Sequence, residues 1–177
     1  MVTLIAAMDQ NRLIGTGCGG LPWSDIHRDK QHFREYTLGK NLLIGRRTFE
    51  EMQGWFRSED RPIVMTRNPN YNPGGRFQVV NDLDEVFALS SEQEGEEIVV
   101  CGGAELYRLT LPVADRLVLT ILYGDFPKQQ GGVFFPEWKE EGFVEYRREE
   151  FEADSKVPFS MTFLYLTRRT GSKNMDC

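Results

Sequence analysis

The run of residues 2–8, Val-Thr-Leu-Ile-Ala-Ala-Met, most constrains what this chain can fold into. It is apolar apart from Thr3, whereas a strand with one solvated face alternates polar and apolar residues. A run of this kind predicts a strand that is buried on both faces. Such strands are typical of parallel sheets that are covered by helices on both sides.

Seven further β-rich runs follow the first, at residues 42–45, 62–66, 77–80, 98–102, 117–123, 143–151 and 159–166. Helices are predicted between them at residues 24–38, 47–53, 83–89 and 104–111, with Asp82 as the cap of the third and Pro112 after the fourth. The last two runs lie close together and predict an antiparallel pair at one sheet edge. This order predicts an α/β domain with a central, largely parallel sheet.

The length of 177 residues suits one domain, which we expect to span residues 1–169, with a disordered tail at 170–177. The net charge of −6 argues against a nucleic-acid or anionic membrane surface. The three cysteines, Cys18, Cys101 and Cys177, fit neither a disulfide framework nor a zinc pattern, and they favour a reducing cytoplasm. The N-terminus lacks the basic start of a signal peptide, and its apolar run is too short to span a bilayer. The acidic segment 91–97 is expected to be a solvated loop.

Two glycine signals differ in their context. Gly15–Gly20 matches G-x-G-x-x-G, but the preceding strand ends near Met8 and Pro22 follows, so a mobile loop is favoured over a dinucleotide fingerprint. Gly102-Gly103, in contrast, joins a buried strand directly to a helix. This pattern suits a pyrophosphate, although a tight structural turn is the alternative.

Two more strands end in residues that can hold an anion. Gly45 is followed by Arg46, Arg47 and Thr48, and the next strand ends in Thr66-Arg67. Each cluster alone could consist of exposed residues that bind no ligand. Three such strand ends in an acidic protein together predict a phosphorylated cofactor at the carboxyl edge of the sheet.

The helix predicted over residues 24–38, with Ser24 as its N-cap, carries a carboxylate on its apolar stripe. At about 100° per residue, the side chain of Asp29 points to the same side of the helix as those of Ile26 and Phe33. One interpretation is an acid that pairs with an arginine or faces water. The other is an acid in an apolar pocket that binds an amidine-like ligand edge and assists protonation. The two histidines, at positions 27 and 32, point in different directions, so no metal site is predicted and both are expected to be solvated.

Several segments, taken in order, resemble the dihydrofolate reductase family. They are LIAAMDQNRLIG at the start, LPW at 21–23, Asp29 four residues before Phe33, LLIGRRTFEEM, IVVCGGAELY, LTI at 119–121 and VFFPEW at 133–138. The resemblance covers residues 2–169. It implies a single α/β domain with an eight-stranded, mostly parallel sheet, an antiparallel C-terminal edge and four flanking helices.

The resemblance also implies an activity. Members of the family transfer a hydride from NADPH to C6 of 7,8-dihydrofolate and a proton to N5, and so supply tetrahydrofolate to one-carbon metabolism. By resemblance we expect a cytoplasmic monomer that binds NADPH and dihydrofolate, that antifolates inhibit, and that has no nucleic-acid or membrane partner.

Residue roles follow from the same resemblance. The implied catalytic residues are Asp29, Trp23 and Thr120, with no metal. The implied substrate-binding residues are Ile5, Ala6, Ala7, Leu21, Asp29, Lys30, Phe33, Met52, Arg61, Cys101 and Thr120. The implied cofactor-binding residues are Ala7, Ile14, Gly15, Gly20, Leu21, Gly45, Arg46, Arg47, Thr48, Thr66, Arg67, Cys101, Gly102, Gly103, Ala104, Glu105, Leu106 and Tyr107.

Three departures from the family pattern stand out. The arginine that binds the folate glutamate carboxylate is displaced, with Arg61 the first choice and Arg57 the alternative. Gly131-Gly132-Val133 stands where Gly-Asp-Thr is common, so lid closure can differ. Lys30 replaces a usual apolar residue. Two other functions stay open: a related NADPH reductase of a ribityl-pyrimidine substrate, and a binding protein without turnover.

Overall fold

The computed structural model describes residues 1–23, 25–91, 96–126 and 131–169. Its strands are β1 (Val2–Asp9), β2 (Leu13–Gly15), β3 (Asn41–Gly45), β4 (Arg61–Met65), β5 (Gln78–Val80), β6 (Ile98–Val100), β7 (Arg116–Tyr123), β8 (Val133–Phe134), β9 (Phe143–Phe151) and β10 (Ser160–Arg168). Its helices are α1 (His27–Thr37), α2 (Arg46–Glu51), α3 (Leu83–Ser91) and α4 (Ala104–Thr110), and short 3-10 turns follow α2 and α4 at Gln53–Trp55 and Leu111–Val113.

Eight strands form one sheet in the order β5-β4-β3-β6-β1-β7-β10-β9. The pairs from β5 to β7 are parallel, and β10 runs antiparallel to both β7 and β9. The predicted fold class is therefore confirmed, including the antiparallel pair at the C-terminal edge. The β2 and β8 strands form a small separate antiparallel sheet that the sequence did not predict.

The apolar run at the start of the chain is the centre of this sheet, because β1 pairs with β6 on one side and β7 on the other. Its side chains alternate between two cores. Leu4 and Met8 pack in the cluster that contains Val86 of α3 and Leu106 of α4. Ile5 packs in the opposite cluster with Phe49 of α2 and other residues. Both faces of β1 are thus buried, which explains its unbroken apolar character.

The helix that carries Asp29 begins later than predicted. The structure starts α1 at His27, after an extended Ile26, and the proposed cap Ser24 lies outside the described residues. Leu83 begins the third helix as expected, and Asp82 Oδ1 accepts the backbone N–H of Glu85 at 3.0 Å, which confirms its capping role.

The acidic segment is not wholly solvated, so that prediction is wrong for its last two residues. Glu97 accepts hydrogen bonds from Thr3 Oγ1 at 2.5 Å and Tyr36 Oη at 2.8 Å, and lies 2.6 Å from Lys40 Nζ. Burial raises the pKa of Tyr36, and the nearby Glu97 carboxylate raises it further. Glu96 binds Asn41 Nδ2 at 2.8 Å. These two carboxylates tie β6 to β1, β3 and α1, while residues 92–95 and the tail 170–177 lie outside the described residues.

His32 is also not a solvated residue, as had been expected. Its ring stacks on Phe163 with the ring centres 4.0 Å apart, and its Nε2 lies 2.9 Å from Tyr165 Oη. Burial lowers the pKa of His32, against the opposing charge of Glu149. The far side of α1 is therefore packed on β10, which fixes the rotation of the helix.

One arginine closes the C-terminal end of the sheet. Arg168, at the end of β10, donates from its guanidinium to the carbonyls of Leu111, Ala114 and Glu141, each at 2.7 Å. Its Cζ also lies 4.4 Å from the centre of the Phe143 ring. The last strand is thereby fastened to the turn after α4. None of the helices in the described part of the chain has the length and apolar character needed to cross a bilayer.

Candidate functional site

Asp29 faces the sheet from the first turn of α1. The carboxylate of Asp29 is largely enclosed by protein atoms, although the residue as a whole is only half-buried. Burial raises the pKa of Asp29, and a hydrogen bond from the Thr120 hydroxyl partly opposes this rise. Thr120 lies on β7, itself buried. The pair therefore forms a protonatable group that is held in a fixed direction.

The neighbouring walls come from β1, the loop before α1 and the end of β6. Thr120 pairs in register with Ala7. Trp23 is buried and packs its ring edge-on against Phe126, with the ring centres 5.3 Å apart. Cys101 is buried in the same cluster as Ile5, and burial raises the pKa of its thiol well above the usual range. The core on this side of the sheet therefore contains apolar side chains and a neutral thiol.

Not every predicted substrate residue points to this side of the sheet. The side chain of Ala6 lies in the opposite core cluster, as the alternation along β1 requires. Leu21 is half exposed in the loop ahead of Trp23. Lys30 and Phe33, by contrast, lie on the face of α1 that lines an open cleft.

That cleft runs between α1 and the segment that follows α2. Phe33 and Met52 line its inner part together with Trp55, Phe56 and Arg57. Arg61, the first choice for a carboxylate ligand, lies outside the cleft. Its guanidinium donates to Gly39 O at 2.6 Å and lies 2.9 Å from Glu96 Oε2. The alternative, Arg57, lines the cleft.

A second site lies where β3 and β6 end side by side. The backbone N–H of Gly45 donates to Gly102 O at 2.6 Å, and the peptide bond between Gly102 and Gly103 is cis. A side chain at Gly103 would place its Cβ 3.0 Å from Thr48 Oγ1, and one at Gly45 would lie 3.4 Å from the backbone of Gly102. The glycines therefore leave bare backbone at this edge. Such a surface suits a pyrophosphate that approaches main-chain N–H groups.

Basic side chains surround that glycine edge. Arg46 lies 3.4 Å from Glu50 and 5.8 Å from the centre of the Tyr71 ring. Arg67 lies 3.0 Å from Glu105. These are exposed pairs, which cost little to exchange for a phosphate. Arg47 is exposed next to them, and Thr66 is buried with its hydroxyl accepting the Asn68 N–H at 3.2 Å.

Three predicted cofactor residues turn their side chains into the core instead. Leu106 and Tyr107 of α4 are buried in the cluster below the sheet, with Ile14 packed against it. Tyr107 Oη donates to Ile5 O at 2.6 Å. The ring of Tyr107 nevertheless lies against the glycine edge, because a Cβ on Gly102 would sit 3.2 Å from Tyr107 Oη. Ala104, at the first position of α4, is half-buried beside Gly103.

The glycine-rich loop after β2 lies against two neighbours. A Cβ on Gly17 would sit 2.5 Å from Gly131 O, so the loop touches the glycine segment that replaces the usual aspartate. The backbone N–H of Gly20 donates to Glu51 Oε2 at 3.3 Å, a contact with α2 that the sequence gave no signal for. Gly15 and Gly20 thus frame a loop that contacts both α2 and the glycine segment at 131–132.

Within the described residues, no group of His, Cys, Asp and Glu side chains could hold a metal ion. A buried, protonatable acid and a glycine edge flanked by arginines are the features that a nucleotide-dependent reductase requires, because they provide an acid–base group and a site for a phosphorylated hydride carrier.

Comparison with known proteins specifies the family. The dihydrofolate reductase family model matches residues 1–168. The type 3 dihydrofolate reductase of Salmonella typhimurium is 36% identical over 169 residues, which is 96% of this chain and 99% of that protein. The Bacillus subtilis dihydrofolate reductase is 35% identical over 173 residues, 98% of each chain. The structure of dihydrofolate reductase from Enterococcus faecalis complexed with NADP(H) and RAB-propyl gives a TM-score of 0.83 at 26% identity, covering 96% of both chains. The chain belongs to the dihydrofolate reductase family.

Proposed function

We propose that this protein catalyses the NADPH-dependent reduction of 7,8-dihydrofolate to 5,6,7,8-tetrahydrofolate. Membership of the family supports the reaction. The observation on which the assignment of chemistry rests is the buried Asp29 with its Thr120 donor and raised pKa. A carboxyl group whose pKa is raised by burial can hold the amidine-like edge of a pterin and can exchange a proton during the reaction.

In this proposal Asp29 binds the 2-amino group and N3 of the pterin and promotes protonation at N5. Thr120 keeps the carboxyl group in one orientation through its hydroxyl. The buried Trp23, next to Phe126, excludes bulk water from the acid and positions the single water that carries the proton. Ile5, Ala7 and Cys101 form the apolar wall against which the pterin ring packs.

For the tail of the substrate, Phe33 and Met52 would contact the aromatic spacer. Arg57 rather than Arg61 is our choice for the glutamate carboxylate, because Arg57 lines the cleft whereas Arg61 is engaged with Gly39 and Glu96. An arginine fits this role through paired N–H donors to a carboxylate.

The glycine edge and its arginines fit a phosphorylated nucleotide. Gly45, Gly102 and Gly103 would let the pyrophosphate approach the backbone, with Thr48, Arg47 and Ala104 beside it. Arg46, Thr66 and Arg67 would bind the phosphate on the 2′-oxygen of the adenosine ribose of NADPH. Because NADH lacks this phosphate, these residues favour NADPH over NADH. When bound, NADPH supplies the hydride that the chain itself cannot.

A spectrophotometric assay tests this function directly. Purified protein should consume NADPH only when dihydrofolate is added, and NADH should serve poorly. The same assay with a ribityl-pyrimidine substrate separates the family reaction from the related reductase. Tight NADPH binding by well-folded protein, without dihydrofolate-dependent oxidation, would instead indicate a binding protein and refute the proposal.

We further propose that residues 1–169 form one folded domain and that the protein acts as a cytoplasmic monomer. The free Cys18 and Cys101 support a reducing compartment. Sedimentation at assay concentration should give the mass of one chain of 20.4 kDa. A concentration-independent dimer would contradict the monomer.

A further inference from the structure

A second contact of α1 with the sheet lies one turn beyond Asp29. His32 follows Asp29 by three positions, so the two side chains are neighbours on the helix, with Cβ atoms about 5–6 Å apart. Their partners on the sheet are neighbours as well, because Thr120 of β7 pairs in register with Phe163 of β10. Opposite residues of an antiparallel pair share one face, with Cβ atoms about 4.5–5.5 Å apart. The helix is therefore attached to the sheet at two adjacent points, and one of them carries the acid.

The contact at His32 combines ring stacking with a directional hydrogen bond. The imidazole lies nearly parallel to the ring of Phe163, with 13° between the planes and the ring centres 4.0 Å apart. Its Nε2 lies 2.9 Å from Tyr165 Oη, and the two rings meet edge-on with their centres 5.7 Å apart. Stacked rings alone can slide over each other. The bond to Tyr165 therefore fixes where the helix lies on β10.

The hydroxyl of Tyr165 connects this attachment to the edge strand. It donates to Glu149 Oε1 of β9 at 3.2 Å, and Glu149 in turn lies 2.7 Å from the guanidinium of Arg147. Burial and the facing Glu149 carboxylate raise the pKa of Tyr165 to about 12, so the hydroxyl keeps its proton near neutral pH. A tyrosine has one hydroxyl proton, and here Glu149 accepts it. His32 is therefore the donor to Tyr165, and its Nε2 carries a proton.

The imidazole of His32 is neutral near neutral pH. Burial lowers the pKa of His32, the carboxylates of Glu149 and Glu35 partly oppose this fall, and the guanidinium of Arg147 adds to it. A neutral imidazole has a single N–H, which the bond to Tyr165 uses. His32 is thus a fixed donor between the helix and the sheet, and it is not itself an acid or base of the reaction.

We propose that His32 is a positioning residue for the reduction, which acts through α1 by holding Asp29 against Thr120. The proposal rests on the proposed reductase function. Asp29 lies in the first turn of α1, where the N-cap residue Ile26 has no polar side chain that could fix the end of the helix. The place of that turn on the sheet therefore depends on side-chain contacts such as the one that His32 makes.

The effect of losing this contact should fall on turnover. A displacement of about 1 Å caused by a remote substitution can cost about 10²-fold in rate. His32→Phe keeps a stacked ring and loses only the donor, so we expect it to lower kcat by about tenfold. Burial is the largest cause of the raised pKa of Asp29, so a shifted helix that admits water should lower this pKa. The high-pH fall of the rate should then move to lower pH.

The experiment measures single-turnover NADPH oxidation across pH, together with NADPH titration and urea unfolding. His32→Phe and Tyr165→Phe remove the two ends of the same hydrogen bond, singly and together. His32→Gln restores an N–H donor at a similar distance from the backbone. His27→Phe is the matched control, because His27 is exposed at the first position of the same helix. Each variant at position 32 is also made in an Asp29→Asn background.

We expect His32→Phe and Tyr165→Phe each to lower the rate about tenfold, with NADPH affinity unchanged and the high-pH fall of the rate moved to lower pH. The double variant should lose no more than either single one, because both break one bond. His32→Gln should recover most of the rate, and His27→Phe should keep all of it. In Asp29→Asn, His32→Phe should have no further effect on the rate, because it acts through that carboxyl group.

Two results would overturn the positioning role. One is an unchanged rate and pH profile in folded His32→Phe and Tyr165→Phe, which would leave His32 with packing alone. The other is a loss of rate that persists in full in the Asp29→Asn background. Absence of dihydrofolate-dependent NADPH oxidation in folded, unsubstituted protein would instead refute the reductase function.

Discussion

Replacing Asp29 with asparagine separates the catalytic role of this carboxyl group from its cost to the fold. Asparagine has nearly the same shape, and its carbonyl oxygen can still accept the Thr120 hydroxyl. It cannot ionise or supply a proton. The substitution therefore changes the chemistry of the site while leaving its packing in place.

The catalytic effect should be large. A positioned acid–base group contributes roughly 10²- to 10⁴-fold to rate, and each tenfold corresponds to about 1.4 kcal/mol of barrier. We therefore expect Asp29→Asn to lower the rate of dihydrofolate reduction at neutral pH by a factor of about 10² or more. The pH profile should also lose the inflection that Asp29 causes.

Stability should change in the opposite direction. Burial raises the pKa of Asp29 in the folded protein above its value of about 4 in the unfolded chain. The unfolded chain thus releases this proton at lower pH, and the folded state loses stability as pH rises from about 4 through the folded pKa. Asparagine removes that loss, so the ligand-free variant should be more stable than the parent above this window and not below it.

Two measurements test the catalytic role of Asp29 and its effect on stability: single-turnover NADPH oxidation, and urea unfolding of ligand-free protein across the pH range. Asp25→Asn is the matched control, because Asp25 is exposed and pairs only with Lys30 among the described residues. The control should change neither property appreciably. Unchanged turnover in Asp29→Asn, or an equal loss in Asp25→Asn, would show that the wrong aspartate has been assigned. A stability difference that stays constant across pH would refute the buried, proton-holding carboxyl group.

Three other substitutions test separate parts of the structure. Thr120→Val removes a donor to ionised Asp29, so the pKa of Asp29 should rise and the high-pH fall of the rate profile should move to higher pH, as steady-state rates across pH will show. Gly17→Ala places a Cβ 2.5 Å from Gly131 O and should lower kcat by roughly tenfold through a displaced lid, with the unfolding midpoint unchanged; unaltered kcat would mean that the loop contact has no role. Arg168→Ala removes three charge-assisted hydrogen bonds to backbone carbonyls and should cost about 2–4 kcal/mol of unfolding free energy in urea titrations; a cost below about 0.5 kcal/mol would show that these bonds do not stabilise the fold.

Local patterns predicted most of the fold. The β-rich runs located all eight strands of the main sheet. The central strands, such as β1 and β6, are buried on both faces and therefore show their environment in their own residues, whereas the edge strand β9 is largely exposed and charged. Helical periodicity placed Asp29 among apolar neighbours for the same reason. The glycine pair at 102–103 indicated bare backbone at a strand end, since few other functions require two glycines at that point.

The predictions failed where a residue depends on a distant partner. His32 was expected in solvent, but it contacts Tyr165, 133 positions along the chain. Glu97 was assigned to a solvated loop, yet it binds Tyr36, 61 positions earlier. Such contacts are set by the packing of helices on the sheet, which no local pattern contains.

The central position of β1 has a consequence for biosynthesis. This strand leaves the ribosome first, yet its neighbours β6 and β7 end at Val100 and Tyr123, and β7 needs β10 on its other side. Until those segments emerge, the nascent chain carries an apolar strand whose N–H and C=O groups have no partners, which is a template for aggregation. Thr120 is likewise made long after Asp29. A premature stop before β10 should therefore yield insoluble chains and not a weakened reductase.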